Sequence, residues 1–259
     1  MATPIPLIAI LTDFGQSDWY VASMKGVISR IAPNARFVDI THDIEDGNVR
    51  SGAFILSQCY EDFPEGSIFL CVVDPGVGSS RKPIILYTGD YYFVAPDNGL
   101  LAMLKPTLSR AFEIDPRRFP VKAKSSSTFH GRDIFAPAAA YLASGNLTPS
   151  DIAQPLPGLN YGGYEREPVA TLPTKGEIVY FDKFGNAISD LYLNELSPLP
   201  DEIVLKNGIS VPFRKTFSDV PPGEAVAYLG SGSRLEIAIN QGCARITLNL
   251  ERDSDFIAR

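Results

Sequence analysis

The chain has 259 residues, with 23 Lys and Arg against 30 Asp and Glu for a net charge of −7, two histidines, three cysteines and 45% apolar residues. That length suits one large α/β domain or a medium domain plus a small one, with enough core to need no disulfide staples. The acidic balance without Lys/Arg runs argues against a nucleic-acid binder, and two histidines with three scattered cysteines exclude a three-His or four-Cys zinc centre, leaving only a carboxylate-bound Mg²⁺ or Ca²⁺ site open.

Ile5 to Leu11 is a nearly unbroken apolar run ending in Thr12-Asp13-Phe14-Gly15, the pattern of a buried parallel strand. No basic residue precedes it, so it reads as a first strand rather than a signal peptide. After Ser17, a candidate N-cap, Val21, Met24, Val27, Ile28 and Ile31 recur at helical spacing up to Pro33. Residues 36–40 read as a strand. Val49, Ala53, Leu56, Tyr60 and Phe63 mark a second helix, stopped by Pro64. SIFLCVV (67–73) is a strongly apolar strand ending at Asp74-Pro75-Gly76-Val77-Gly78. The strand-like runs PIILY and YYFVA follow, then Asp97-Asn98-Gly99 with a short helix through Leu104, and a helix over 133–143 with an alanine-rich face. This β-α-β-α-β opening predicts a mostly parallel sheet covered by helices.

Residues 154–173 contain four prolines and three glycines without apolar periodicity and read as linker. Short β-rich segments follow: EIVYFD, EIVLKNG, ISVPF, AVAYLG, LEIAI and ARITLNL. The expected organisation is an α/β domain over 1–160, a linker over 161–173 and an all-β, barrel-like domain over 174–259. Cys59, Cys71 and Cys243 sit in apolar contexts without C-x-x-C spacing, which suits small buried side chains and a reducing cytoplasm. No apolar run approaches the ~18 residues of a membrane span.

In open α/β sheets ligands bind beyond the carboxyl ends of the strands. Two strands here end in carboxylates, Asp13 and Asp74, each two residues before a glycine. A lone strand-end Asp is as readily a turn residue, but two on one rim favour a site. Gly76-Val77-Gly78 fails as a dinucleotide turn, because position 81 is Arg and a strand follows. It reads as a turn that lets backbone approach a ligand. Ser127 to Asp133 places His130 beside Arg132 and Asp133 at a helix start. Two readings stand: His130 as a base or water-orienting group, or Asp133 as a cap paired with Arg132. His42, embedded in DITHDIED, reads as a structural or surface histidine. Asp182-Lys183-Phe184-Gly185-Asn186 and Gly230 to Glu236 are polar turns in which Phe184 could stack on a base, or plain β-turns.

LTDFG with YVASMKG, VVDPGVG followed by Arg81, APDNGLL, TFHGRDIFAPAAA, FDKFGN and GSGSRLEIAINQG together resemble the adenosine-forming S-adenosylmethionine hydrolases, relatives of fluorinases and chlorinases. The six motifs are co-linear from Leu11 to Gly242. The resemblance implies a Rossmann-like N-terminal domain, a β-barrel C-terminal domain and a homotrimer whose sites lie between neighbouring subunits. It implies an Asp–Arg–His set at Asp74, Arg81 and His130, and a ribose-binding Asp13. Asp182 and Asn186 would hold the adenine and methionine ends, with Phe184 beside the base. Ser231 and Glu236 would contact methionine, and Ile239 would line that pocket. S-adenosylmethionine is then substrate, with no cofactor or metal, no nucleic acid and no membrane. One departure is Gly47-Asn48, where related sequences carry an aromatic and an Asp, which implies a looser wall to the nucleoside pocket.

The implied reaction is attack of a water-derived oxygen on ribose C5′. Methionine leaves as a neutral thioether, so the nucleophile and not the leaving group needs help: Arg81 to stabilise hydroxide character, Asp74 and His130 to accept its proton or orient it. Alternatives are a halogenase of the same superfamily and a non-catalytic sensor. An Asp74 carboxylate would repel a halide by about 4 kcal/mol at 4 Å. Methyl transfer ranks behind both, since no G-x-G-x-G loop follows the first strand.

Overall fold

The computed structural model describes residues 6–104, 109–120, 126–160, 162 and 168–259. The chain divides into two compact units, Met1–Glu165 and Arg166–Arg259. The first contains β1 (Leu7–Thr12), α1 (Tyr20–Ile31), β2 (Arg36–Thr41), α2 (Val49–Cys59), β3 (Ile68–Val72), β4 (Pro83–Tyr87), β5 (Tyr92–Pro96), β6 (Arg110–Ile114), α3 (Ala136–Ser144), α4 (Pro149–Ile152) and β7 (Ala153–Leu156). Its sheet runs β2-β1-β3-β5-β4-β6-β7. The first four strands are mutually parallel, and only β4 and β7 run against the rest.

The apolar runs of β1 and β3 are explained by burial on both faces. Ile8, Ile10, Ile68, Leu70 and Val72 point to one layer with Met24 and Ile28 of α1 and the alanines of α3. The alternate residues Ala9, Leu11, Phe69 and Cys71 point to the other, with Leu56 of α2. Period-2 alternation therefore sorts apolar side chains between two helical layers rather than between core and water. Each Ile, Leu or Phe so buried contributes ~1.5–3 kcal/mol.

Several boundaries differ from those expected. Trp19, not Ser17, caps α1, and no side chain bonds the exposed N–H groups. The 97–104 segment makes turns instead of a helix. The expected helix over 133–143 begins as a five-residue π-turn, Gly131–Phe135, with Ala136 N–H reaching back to Gly131 O. Pro137 lacks the N–H that a regular turn would aim at Asp133. Residues 153–156, partly read as linker, form edge strand β7 against β6, where Pro155 is tolerated. Cys71 is buried, whereas Cys59 and Cys243 are only half-buried.

The second unit contains β8 (Thr174–Phe181), β9 (Ala187–Tyr192), β10 (Glu202–Leu205), β11 (Ser210–Pro212), β12 (Ala225–Leu229), β13 (Arg234–Ile239), α5 (Ala244–Thr247) and β14 (Asp255–Ala258). All six pairings in the order β11-β10-β14-β8-β9-β13-β12 are antiparallel. Phe213 bridges to Ala227, and Arg214 N–H donates to Ala227 O at 2.8 Å. The ends of the sheet thus meet, and the unit is a nearly closed barrel around Ile178, Leu191, Ile203, Leu235 and Phe256. ARITLNL, expected as a strand, forms the single turn α5 instead. Thr247 and Leu248 N–H bond to Cys243 and Ala244 carbonyls, and β14 takes the pairing position beside β8.

Candidate active site

β1 lies between β2 and β3, so the chain leaves β1 to one side through α1 and reaches β3 on the other through α2. This reversal opens a crevice beyond the carboxyl ends of β1 and β3, the position at which such sheets bind ligands. Thr12 is paired with Val72 across the two strands. Asp13 and Asp74 therefore leave the sheet on the same rim, close enough for each charge to act on the other.

Asp74 and Arg81 are almost fully buried, with side chains 4% and 8% exposed. Arg81 Nε donates to Asp74 Oδ1 at 2.8 Å and to Oδ2 at 3.0 Å, and its Nη2 donates to Oδ2. The same Nη2 lies 2.8 Å from His130 Nδ1. Phe135, fully buried in the π-turn, packs beneath the guanidinium with its ring centroid 5.2 Å from Cζ. Arg81 Nη1 is buried and, among the described residues, makes no hydrogen bond. A guanidinium held on two sides thus keeps one N–H edge unused, which suits a small oxygen nucleophile.

The loops holding this set are tied to each other. Between Asp74 and Arg81 the chain makes two tight turns, Val77 N–H to Asp74 O and Ser79 N–H to Gly76 O. Gly78 has φ +80°, and a Cβ there would lie 2.9 Å from Ser127 O. Only glycine lets the Arg81 loop pack this closely on the His130 loop. The His130 loop is anchored by buried Asp133, whose Oδ2 accepts Ser126 N–H at 2.7 Å while Arg132 grips both oxygens. Asp133 thus serves the loop, and Arg132 pairs with it, as one of the two sequence readings has it. Burial lowers the His130 pKa, and the adjacent Arg81 cation lowers it further against the opposing charges of Asp74 and Asp133.

Asp13 Oδ2 accepts Gly47 N–H at 2.9 Å. Burial raises the Asp13 pKa, and the charges of Asp46 and Asp74 add to the effect. Gly47 thus contributes a backbone donor, and Asn48 caps α2 through Ser51 N–H. Sequence reasoning missed Asn98, whose Nδ2 holds Val73 O at 2.9 Å immediately before Asp74. Its only signal is the Asp-Asn-Gly turn. His42 is not beside His130 but is buried between β1 and Asp39.

In the second unit, Asp182 Oδ1 accepts Phe184 and Asn186 N–H, and its Oδ2 accepts Asn186 Nδ2, all at 2.8–2.9 Å. The Asp182 carboxylate builds its own turn and displays Phe184, 70% exposed. Glu236 sits opposite Tyr228 on adjacent strands, and the Tyr228 hydroxyl donates to Glu236 Oε2 at 2.8 Å. Burial raises the Glu236 pKa, with the Asp182 charge adding, so these two carboxylates share one end of the barrel. A Cβ on Gly230 would fall 1.9 Å from Glu236 Oε1, so the carboxylate lies directly against that turn. Ser231 is exposed in the same turn, whereas Ile239, 6% exposed, packs into the barrel core. The structure therefore gathers Asp13, Asp74, Arg81 and His130 in the first unit and Asp182, Asn186 and Glu236 in the second.

A model of the SAM hydroxide adenosyltransferase N-terminal domain matches residues 8–153, and one of the corresponding C-terminal domain matches residues 176–257. The chain is 42% identical over 253 residues to an (R)-S-adenosyl-L-methionine hydrolase of Thermus thermophilus, covering 94% of this chain and 96% of the relative. It is 37% identical over 249 residues to a Salinispora tropica protein of the same name, covering 93% of each. A fluorinase of Nocardia brasiliensis is more distant, at 27% over 285 residues, covering 95% of this chain and 94% of the relative. The solved structure of an uncharacterized conserved protein from Thermotoga maritima matches with a TM-score of 0.88 at 37% identity, covering 97% of this chain and all of that one.

Proposed function

Because the chain belongs to the SAM hydroxide adenosyltransferase family, we propose that it hydrolyses S-adenosyl-L-methionine to adenosine and L-methionine. The observation that carries this reading is Arg81, buried, braced by Asp74 and His130, with Nη1 still free to bond an oxygen. An oxygen–C5′ bond forms as the C5′–sulfur bond breaks, and the bonding pair passes to sulfur, turning the sulfonium into a neutral thioether. Water must lose one proton, and Arg81 stabilises the hydroxide character that develops. Asp74 accepts that proton through Oδ1, which takes one bond from Arg81 and so retains a lone pair, whereas Oδ2 takes two.

Asp13 Oδ1, opposite the oxygen bonded to Gly47, takes the ribose hydroxyls and holds C5′ in line with the nucleophile. Glu236 and Ser231 take the methionine end, where Ile239 lines the pocket, Asp182 and Asn186 hold the adenine and methionine ends, and Phe184 lies beside the base. The two groups of residues belong to separate units, in keeping with a homotrimer whose sites are completed by neighbouring subunits. No described helix is long and apolar enough to cross a membrane.

Replacing Arg81 by Ala tests the reading. Loss of one preorganised donor to a developing oxyanion costs about 10²–10³ in kcat, and the expected result is that loss with a much smaller change in KM. Unchanged turnover in the Arg81→Ala protein would remove Arg81 from the mechanism.

A further inference from the structure

His42 is 2% exposed and takes no part in the reaction described above. Its Nδ1 lies 2.8 Å from Oγ1 of Thr12, which is fully buried at the end of β1. Thr12 Oγ1 also accepts Phe14 N–H at 3.3 Å, and the His42 carbonyl accepts Gly15 N–H at 2.8 Å. His42 therefore holds the backbone on both sides of Asp13. A register shift sets this up: Ile10 pairs with Asp39 but Leu11 pairs with Thr41, so one residue of β2 is passed over and His42 comes abreast of Thr12.

The far edge of the imidazole continues the relay. His42 Nε2 lies 3.1 Å from Asp39 Oδ1, bent away from a linear hydrogen bond, and Asp39 Oδ2 accepts Lys25 Nζ at 2.7 Å. A carboxylate facing Nε2 favours the tautomer protonated there. Nδ1 then accepts the Thr12 hydroxyl proton, which leaves the Thr12 oxygen free to accept Phe14 N–H. From Phe14 N–H through Thr12 and His42 to Asp39 the donors point one way, and Lys25 donates to Asp39 from the other side. Apolar residues would fill this space without the cost of burying polar groups, so packing alone does not account for the relay.

We propose that Thr12, His42 and Asp39 are positioning residues for Asp13, aiming its carboxylate at the ribose diol and so setting selection for a ribose over a deoxyribose sulfonium substrate. This rests on the reading of Asp13 as the ribose-binding group. Gly47 N–H fixes one carboxylate oxygen, and the relay fixes the backbone from which the other is aimed.

The test compares kcat/KM for S-adenosylmethionine and its 2′-deoxyribose analogue, or the ratio of their Kd values where turnover is slow. The native protein should prefer the ribose substrate by about 10²-fold or more, as sites built to bond a hydroxyl do. Asp13→Asn and Thr12→Val should bring the preference to within about 5-fold, and Asp39→Asn should reduce it in part, each having lost or loosened one hydrogen bond. Thr12→Ser, which keeps the hydroxyl, should restore it. A purely structural relay would lower activity on both substrates alike and leave the ratio intact. Full preference in Thr12→Val alongside collapse in Asp13→Asn would overturn the relay and leave the Asp13 reading standing. Full preference in Asp13→Asn would overturn both. Asp39 is half-exposed, so Asp39→Asn decides should Thr12→Val fail to fold, and an unchanged ratio there overturns the proposal.

Discussion

Arg81 Nη2 donates to His130 Nδ1 across 2.8 Å. A guanidinium has no acceptor, so Nδ1 must carry the lone pair and Nε2 the proton. In the resting site His130 is therefore a hydrogen-bond donor through Nε2, and its accepting nitrogen is already occupied. It can orient an oxygen or brace Arg81, but it does not compete with Asp74 for the proton of water.

The neutral imidazole is the working form, since a second proton would turn Nδ1 from acceptor to donor against the Arg81 cation. Burial and that cation hold the His130 pKa below its usual 6.5. Activity should therefore be flat near neutral pH and fall as pH drops below 6.5 through the lowered value. The stability linkage has the same sign. The unfolded chain binds a proton near 6.5 that the folded site resists, so stability also falls with pH through that window. A pH series of kcat/KM in native and His130→Gln protein checks this: the upper acid limb should vanish in the variant, leaving the titration of Asp13. A limb above pH 7 would contradict the depressed His130.

Gly78→Ala should destabilise the first unit by about 1–3 kcal/mol, combining a left-handed backbone cost with the approach to Ser127 O. Because the contact joins the loops of Arg81 and His130, kcat should fall together with the denaturation midpoint. Chemical denaturation alongside kinetics reads both. Native-like values for each would show the loops adjust freely.

The strand ends bearing Asp13 and Asp74 are legible in the sequence because unbroken apolar runs stop abruptly at an acid and a glycine. The role of Arg81 is less so, since nothing local shows that residue 81 returns to residue 74 and then meets residue 130. β6, β7 and β9 are short or half-polar and carry little periodicity, so their existence depends on partners distant in sequence. ARITLNL has strand composition yet forms α5, because β14 occupies the pairing edge. The Thr12–His42 contact is hidden for the same reason: it depends on a register shift between strands, which no single segment encodes.

Tyr228→Phe removes the hydroxyl that holds Glu236 against the Gly230 turn. A neutral-to-charged hydrogen bond of about 1–2 kcal/mol corresponds to a 5- to 30-fold change. The expected outcome is a rise of that order in KM for S-adenosylmethionine with a smaller change in kcat, measured by steady-state kinetics. A fall confined to kcat would place Tyr228 and Glu236 at the reacting centre instead of the methionine end.

The source of the new oxygen is the most direct question. Purified protein incubated with S-adenosylmethionine in ¹⁸O-water, without added metal, should yield adenosine carrying one heavy oxygen at the 5′-hydroxyl, together with unlabelled methionine, by mass spectrometry. A 5′-halogenated nucleoside that depends on added halide, or adenosine without label, would contradict hydrolysis by an Arg81-held water.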